Sequence, residues 1–463
     1  MAVGTYGTGA RPILDGSDLI VNANLTKTAG LTNVYNTGTI NFILGGLGAV
    51  GWINVFETGG PGDGATGQFL QFVTSQALCD STPGSYTIAG MSTGAGVPTS
   101  AAIYIHSTDS SSPITNGYTY EFSNRSASIY STGAGATISG IECRKAAGKD
   151  GAINLDAGDG SAFTVNDCLV RLCAQHSLFA SGGSVVKNSI FINNYFGTTG
   201  GNCIVFYENV GAGRSFWSQN NIFQQDQNIT GYGGTTAILS HSSSGNNGTV
   251  YSQNDWFISK NSGNLGGFFV QDAASLNISG ALGSNTNTFI SAYTNVTLTN
   301  SQVVSNYVFN QLINGQANNL TYALSGNQYA TTLGVPIIAT HSTTGVALSI
   351  TGDIYYRNDK TNSADFINGA GSCSLSVNNV TFDAAVQHTQ AYDTSGPWTF
   401  SGGTTSGTDN SYKAVQVDNF TWNGTYYSSL ATWLAAISPQ DSAAITTRSG
   451  SSANTLPTIP NVS

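Results

Sequence analysis

The sequence predicts an all-β protein whose strands wind into a right-handed parallel β-helix, with short capping helices and terminal arms outside the helix. Three observations carry this prediction. Charged residues are 8% of the 463-residue chain, against about 25% in typical soluble domains. The chain also has 57 glycines and 40% hydrophobic residues, enough for many turns and a core. Finally, one short motif recurs along it, which indicates an ordered, strand-rich solenoid and not a disordered chain.

The recurring motif is an apolar or small residue, any residue, then Asn, Asp or Gly, two more residues, and a large apolar one. Its copies begin at Ile138, Val165, Val186, Ser218, Ser252, Leu298, Ile350, Val377 and Val417. The copies are spaced irregularly, at roughly 20 to 50 residues, while the local pattern stays constant. This combination favours coils of one solenoid whose turns carry insertions, and we expect the longest gaps to hide weaker copies of the motif.

Stacking the copies predicts two columns of side chains. The apolar position would form an inward column with a spacing of about 4.8 Å, made of Cys143, Val170, Phe191, Phe223, Phe257, Val303, Tyr355, Phe382 and Trp422. The third position holds residue types that tolerate a left-handed bend, namely Gly140, Asp167, Asn188, Asn220, Asn254, Asn300, Gly352, Asn379 and Asn419. We interpret the asparagines as structural, not catalytic.

On these repeats the chain resembles the pectate-lyase-like superfamily of right-handed parallel β-helices, over roughly residues 60–425. That superfamily includes polysaccharide-degrading enzymes and many bacteriophage tailspike and fibre proteins. The run Gly62-Asp63-Gly64-Ala65-Thr66 is similar to the turn that opens phage β-helices, although Gly67-Gln68 stands where acidic residues usually follow. The helix-like apolar spacing after this turn predicts a capping helix near residues 67–79.

The same patterns predict three regions. Residues 1–60 contain apolar islands among glycines and are interpreted as an attachment region whose strands pack on another subunit. Residues 61–425 would form the β-helix. Residues 426–463 would hold a helix over 428–437 that closes the last coil, followed by an extended tail rich in Ser, Thr and Pro.

Charge and cysteine content exclude several classes. A net charge of -10 with no Lys/Arg cluster argues against nucleic-acid binding. The six cysteines form no CxxC pair and are expected to be buried thiols. No basic segment followed by an apolar stretch opens the sequence, so we expect no secretion signal, no membrane insertion and synthesis in a host cytoplasm. The dispersed histidines suggest neither a metal nor another cofactor.

One charged cluster could support chemistry. Its candidate catalytic residues are Glu142, Arg144, Asp150 and Arg171, with Lys145, Lys149, Asp156 and Asp159 close in sequence. A lyase needs a base and cations, and a glycosidase needs two carboxylates about 5 to 9.5 Å apart. The alternative, which we favour, is a local salt-bridge network.

Other features have weaker functional interpretations. The cluster Asp353, Arg357, Asp359, Lys360 and Asp365 is interpreted as a polar insertion loop and not a cation site. Flat aromatic side chains suit sugar rings, and the candidates are Tyr195, Tyr232, Trp217 and Trp398. Packing in a core or subunit interface is the equally favoured alternative for them.

Two functional hypotheses follow from the resemblance. The preferred one is a structural virion protein of a bacteriophage, a fibre, spike or capsid-decoration component that forms a homo-oligomer such as a trimer. It would contact other virion proteins through its terminal regions and host polysaccharides through its surface. The alternative is a polysaccharide lyase or glycoside hydrolase, such as a depolymerising tailspike, that uses the cluster from Glu142 to Arg171.

Overall fold

The computed structural model describes the chain in segments. They are residues 2–4, 10–43, 53–61, 67–94, 97–131, 135–148, 151–155, 162–174, 176–192, 194, 201–207, 213–225, 235–241, 248–259, 265–284, 286, 288–305, 313–315, 319–331, 338–340, 344–357, 367–369, 372–378, 380–382, 399–400, 405–406, 420–422 and 425–427. From residue 354 onward the description is of the backbone.

Three long parallel sheets dominate these residues. Sheet 1 contains β1 (Ala2–Gly4), β13 (Thr137–Ser139), β16 (Thr164–Asn166), β19 (Val185–Lys187), β22 (Phe216–Gln219), β25 (Thr249–Gln253), β28 (Ser275–Ser279), β31 (Asn295–Thr299), β34 (Thr321–Ser325), β37 (Thr344–Thr351), β40 (Ser372–Asn378) and β42 (Thr399–Phe400).

Sheet 2 contains β2 (Ile13–Asp15), β14 (Glu142–Arg144), β17 (Leu169–Arg171), β20 (Ile190–Ile192), β23 (Ile222–Gln225), β26 (Trp256–Ser259), β29 (Leu282–Ser284), β32 (Gln302–Ser305), β35 (Gln328–Thr331), β38 (Ile354–Arg357), β41 (Val380–Phe382) and β43 (Thr405–Ser406). Sheet 3 contains β12 (Ile129–Tyr130), β15 (Ile153–Leu155), β18 (His176–Ala180), β21 (Gly201–Tyr207), β24 (Thr235–His241), β27 (Leu265–Val270), β30 (Ile290–Ala292), β33 (Ile313–Gly315), β36 (Ile338–Thr340) and β39 (Ile367–Gly369).

The chain visits these sheets in the repeating order 1, 2, 3, so that each strand pairs in parallel with the equivalent strand one coil later. This topology confirms the all-β parallel β-helix. The register also confirms the inward column, which aligns from Cys143 through Phe257 and from Tyr329 to Phe382. The long gaps do hide weaker copies, since Gly283 and Tyr329 occupy the column where the motif was not recognised.

The bend between sheets 1 and 2 is left-handed, as predicted. The backbone φ angle is +55° at Asp167, +52° at Asn188, +54° at Asn220, +53° at Asn254 and +49° at Asn300. Gly140 and Gly352 take the same conformation, as do Gly280 and Gly326 in the two hidden copies. Asn tolerates this region because its short amide bonds locally. Asn379 and Asn419 lie outside the described residues.

The core lies inside the coils and is continuous along them. Aromatic rings in the inward column stack directly, with centroids 5.1 Å apart between Phe191 and Phe223 and again between Phe223 and Phe257. Sheet 2 is unusual because its outward side chains are buried too, including Leu169, Ile190, Ile222 and Trp256. Alternation along a strand places these residues on the face opposite the core. The outer face of sheet 2 is therefore buried along these coils.

Residues 17–123 form a separate layer of mostly antiparallel strands, which we call the N-terminal unit. Its five-stranded sheet contains β4 (Thr26–Lys27), β5 (Tyr35–Asn41), β10 (Val97–His106), β9 (Ser85–Gly94) and β8 (Gln71–Phe72). Its four-stranded sheet contains β3 (Ser17–Ile20), β11 (Thr119–Ser123), β6 (Val55–Thr58) and β7 (Gln68–Phe69). A 3-10 turn (Asn22–Asn24) and α1 (Gln76–Ser81) complete it.

The predicted boundary at residues 60/61 is therefore wrong. Strands β1 and β2 already belong to the helical sheets, pairing with β13 and β14, and the continuous coils begin only at β12. Pairing between strands more than 100 residues apart leaves no local signal. Phe42, Ile53 and Val55, expected on another subunit, lie in the core of the N-terminal unit.

The predicted capping helix near 67–79 is also corrected. Residues 68–72 form strands β7 and β8, and the helix is the six-residue α1. The Ser75 side chain caps it by accepting a hydrogen bond from the Leu78 N–H at 3.2 Å. Because α1 contacts β9 and β10, it packs on the N-terminal unit. The Gly62–Thr66 turn lies outside the described residues.

The last described residues depart from the helical pattern. Trp422, predicted to end the inward column, lies in β44 (Phe420–Trp422), which pairs in antiparallel fashion with β45 (Thr425–Tyr427). This hairpin is a separate two-stranded sheet, so the last motif copy reflects a local hairpin and not a coil. Residues 428–463, with the predicted closing helix and tail, lie outside the described residues.

Candidate functional site

The first coils bring the main catalytic candidates together. Strand β14 places Glu142 and Arg144 on the outer face of sheet 2, and Arg171 of β17 is the direct register partner of Arg144. On the other side, Arg144 is the register partner of Asp15 in β2. Adjacent parallel strands lie about 4.8 Å apart. Arg144 and Arg171, which directly follow the apolar position of successive motif copies, therefore share one outward position. No sequence pattern indicated the neighbouring Asp15.

Charges alternate along this row. The guanidinium of Arg171 donates to Glu142 Oε1 from Nε at 2.8 Å and from Nη2 at 2.7 Å. Arg144 Nη1 lies 3.8 Å from the same oxygen, and Arg144 Nε donates to Asp15 Oδ2 at 2.5 Å. Glu142 and Arg171 are each only 8% exposed. The four side chains form a mostly buried chain of ion pairs in the order Asp15, Arg144, Glu142, Arg171.

The row also joins the N-terminal unit to the β-helix. The buried Lys145, which follows β14, forms an ion pair with Glu121 of β11, and its Nζ lies 5.3 Å from the centre of the Phe56 ring. Arg125, just after β11, binds Asp18 of β3 at 2.6 Å. At the first bend, Arg11 binds Asp167 at 2.6 Å. Each of these contacts spans a large distance in sequence, so periodicity could not have found them.

These contacts decide what the cluster can do chemically. Burial raises the pKa of the Asp15 carboxyl, but hydrogen bonds from Ser17 and Arg144 outweigh it and hold that pKa below 3.8. Oxygen Oε1 of Glu142 accepts from the buried guanidinium of Arg171, and Glu142 as a whole is only 8% exposed. A substrate would reach this carboxylate only through a site with little solvent access. Asp150, Lys149, Asp156 and Asp159 lie outside the described residues.

A second polar feature runs through the bend, one residue after each left-handed position. The backbone N–H of Cys168 donates to Ser189 Oγ at 3.1 Å, that of Ser189 to Asn221 Oδ1 at 2.9 Å, and that of Asn221 to Asp255 Oδ1 at 2.8 Å. Each acceptor lies one coil further on. We call this chain of hydrogen bonds the buried ladder.

The ladder repeats four coils later with the same residue types. The N–H groups of Ala281, Ser301 and Asn327 donate to Ser301 Oγ, Asn327 Oδ1 and Asp353 Oδ1, at 3.1, 2.9 and 2.8 Å. Both runs thus read Ser, Asn, Asp and end on a fully buried carboxyl. Burial raises the pKa of Asp255 to about 6, although hydrogen bonds from Ser218, Ser252 and Asn221 oppose the shift.

The ladder could have been predicted from the sequence, because five of its six acceptors directly follow the bend residue of a recognised motif copy. The exception is Asn327, which lies in a hidden copy. The ladder also assigns a structural role to Asp353, which the sequence pattern had grouped with an insertion loop. Arg357 lies in β38. Asp359, Lys360 and Asp365 are outside the described residues.

The remaining candidates are the histidines, the cysteines and the aromatic residues proposed to stack on sugars. His106 is buried and bonded through both ring nitrogens, to Cys79 O at 2.7 Å and Ser110 Oγ at 2.9 Å. His241 lies at the surface, 3.1 Å from Asp272. The described cysteines are buried free thiols, as predicted. Among the sugar-stacking candidates Trp217 alone is described. In the described parts of the chain no group of His, Cys, Asp or Glu is arranged to hold a metal ion.

Comparisons with known proteins add little at the level of sequence. No protein-family model matches the chain, and no curated protein matches it. A solved structure described as the complex structure of XylC with xylose aligns with a TM-score of 0.39 and 11% identity, covering 80% of this chain and 73% of that chain. Among the described residues, no helix is long and apolar enough to cross a membrane.

Proposed function

We propose that this chain is a rigid structural component of a bacteriophage particle, a fibre, spike or capsid-decoration protein, and that its charged cluster is a clamp. The observation that carries the clamp is the burial of Glu142 against Arg171, with two contacts below 3 Å. A carboxylate and a guanidinium that are each only 8% exposed offer little surface to a substrate. The cluster fastens the N-terminal unit and the strands β1 and β2 onto the first coils.

The particle assignment draws on the architecture. The described strands of three sheets pair coil after coil from β12 to β41, which favours a long, stiff object, and a chain with few charged residues suits a scaffold. Contacts with other virion proteins are assigned to the terminal regions, and a homo-oligomer such as a trimer is the expected assembly. Native mass spectrometry tests the assembly, and immunogold labelling of phage particles from the host that carries the gene tests the location.

The experiment that tests the clamp against the enzymatic alternative is a cleavage assay. The purified chain is incubated with acidic and neutral bacterial polysaccharides, and ultraviolet absorbance of unsaturated products and new reducing ends are followed. The proposal expects neither signal with any polymer. Cleavage that is abolished by Glu142→Gln, a variant that keeps the shape of the side chain, would establish a lyase or glycosidase instead.

A further inference from the structure

The outer face of sheet 1 carries an aromatic pair. Trp217 of β22 and Tyr251 of β25 are register partners, and their rings stack with centroids 3.9 Å apart and planes 8° from parallel. Both side chains are partly exposed. Beside them, Gln219 Nε2 donates to Gln253 Oε1 at 2.8 Å. Two adjacent coils therefore present two rings and two amides side by side on the surface of the helix.

Beyond these two coils the outward side chains become shorter. In the next strand, Asn277 follows Tyr251 and Ser279 follows Gln253 in register. Thr297 and Thr299 follow in the strand after that. Since Trp217 covers one face of the Tyr251 ring, the other face is directed towards the coil of Asn277. A ring is longer than an Asn side chain, so part of that face stands above the lower surface as a ledge.

The chemistry of this surface limits what can bind. The outward side chains described around the ledge, in β25, β28 and β31, carry no charge. On the other side of the aromatic pair, Lys187 of β19 is the register partner of Gln219. A charged ligand would lose hydration at the ledge without gaining an ion pair. Hydroxyl and amide groups favour a ligand that is polar and neutral.

We propose that the ledge at Tyr251 binds a neutral polysaccharide. The apolar C–H face of a pyranose would rest on the open face of the Tyr251 ring, as amphipathic partners do on aromatic surfaces. Its hydroxyl groups would exchange hydrogen bonds with the amides of Asn277 and Gln253. This inference goes beyond the structural role proposed above and does not depend on it, because a fibre, a spike or an enzyme could carry such a site.

Affinity electrophoresis of the full chain tests the proposal. The gels contain xylan, laminarin, galactomannan or dextran as neutral polymers, and polygalacturonate or alginate as acidic ones. We expect at least one neutral polymer to retard the wild-type chain and the acidic polymers not to. Tyr251→Ala should weaken that binding by at least about tenfold. Tyr293→Ala is the matched control, since Tyr293 is 43% exposed and its ring lies against Phe269 of sheet 3.

A second variant keeps the ring and removes the amide beside it. Asn277→Ala lies on an outward strand position, so it should fold, and it should weaken binding because the sugar hydroxyls lose a hydrogen-bond partner. The proposal is overturned if no neutral polymer retards the wild-type chain, or if both variants bind as it does. It is also overturned if Tyr251→Ala dissociates an oligomer in sedimentation experiments, because the face would then be an interface between copies of the chain.

Discussion

The backbone N–H of Asn221 donates to the buried carboxyl of Asp255, 2.8 Å away and one coil further along the helix. The same relationship joins Asn327 to Asp353 at the same distance. A polar run inside a core is tolerated only when its members are hydrogen-bonded to one another. The buried ladder thus ties consecutive coils together through side chains, in addition to the hydrogen bonds of the sheets.

The ladder predicts an unusual pH dependence. The pKa of Asp255 is raised to about 6 from an ordinary value of 3.8, so the folded state favours the protonated form. Its contribution to stability is complete below about pH 4 and is lost as the pH rises through about 6, at a cost of up to about 3 kcal/mol. The isosteric variant Asp255→Asn should therefore gain stability relative to the wild type between pH 4 and pH 7, in urea unfolding curves.

The opposite pH dependence of stability is expected from Asp109, and this residue provides the control. Although burial opposes the shift, hydrogen bonds from Ser111 and Tyr118 lower the pKa of this carboxyl to about 2. Its contribution is present above about pH 4 and is lost as the pH falls towards 2. A difference between Asp255→Asn and the wild type that stays constant from pH 4 to 8 would contradict the assignment.

The left-handed bend predicts which substitutions the turns accept. At Asn254, with φ of +53°, Asn254→Gly should change the free energy of unfolding by less than about 1 kcal/mol, while Asn254→Val should lose about 1–3 kcal/mol. Thr297→Val, on an exposed strand position, is the control and should be nearly neutral. Equal effects of Gly and Val at position 254 would show that the backbone conformation is not the constraint.

The aromatic column predicts a large packing loss at its middle ring. Phe223 is fully buried between Phe191 and Phe257, with both centroids at 5.1 Å. Phe223→Ala should lower the free energy of unfolding by about 3–5 kcal/mol, and Phe223→Leu by clearly less. Tyr130→Ala, at a site 48% exposed, should be close to neutral. If calorimetry gave Phe223→Ala the same melting temperature as the wild type, the stacked column would not be a major source of stability.

The cysteines are predicted to be unreactive in the folded protein. Burial raises the pKa of the Cys79 and Cys168 thiols to about 11 and that of Cys173 to about 12. Because the thiolate is the reactive form, a Cys373→Ser variant should not reduce Ellman's reagent until it is unfolded in guanidinium. Rapid labelling of that variant in native buffer would indicate that the first coils open.

The sequence predicted those structural features whose residues lie close together in the chain or recur in each motif copy. The left-handed bend at Asn188 and the inward position of Phe191 recur in each motif copy, so they could be predicted. The pairing of β2 with β14 could not, because Asp15 is far from Arg144 in the chain and belongs to no motif copy. Trp422 shows the converse error, since a local match to the motif does not establish a coil.

The clamp is tested most directly by a double-mutant cycle at Glu142 and Arg171. The account predicts that Glu142→Ala and Arg171→Ala each lower the free energy of unfolding by about 3 kcal/mol, since each leaves a buried charge without its partner. The double variant should lose much less than the sum, with a coupling energy of about 2 kcal/mol. Two single variants that each stay within about 0.5 kcal/mol of the wild type would contradict it and return these residues to the list of candidates for catalysis.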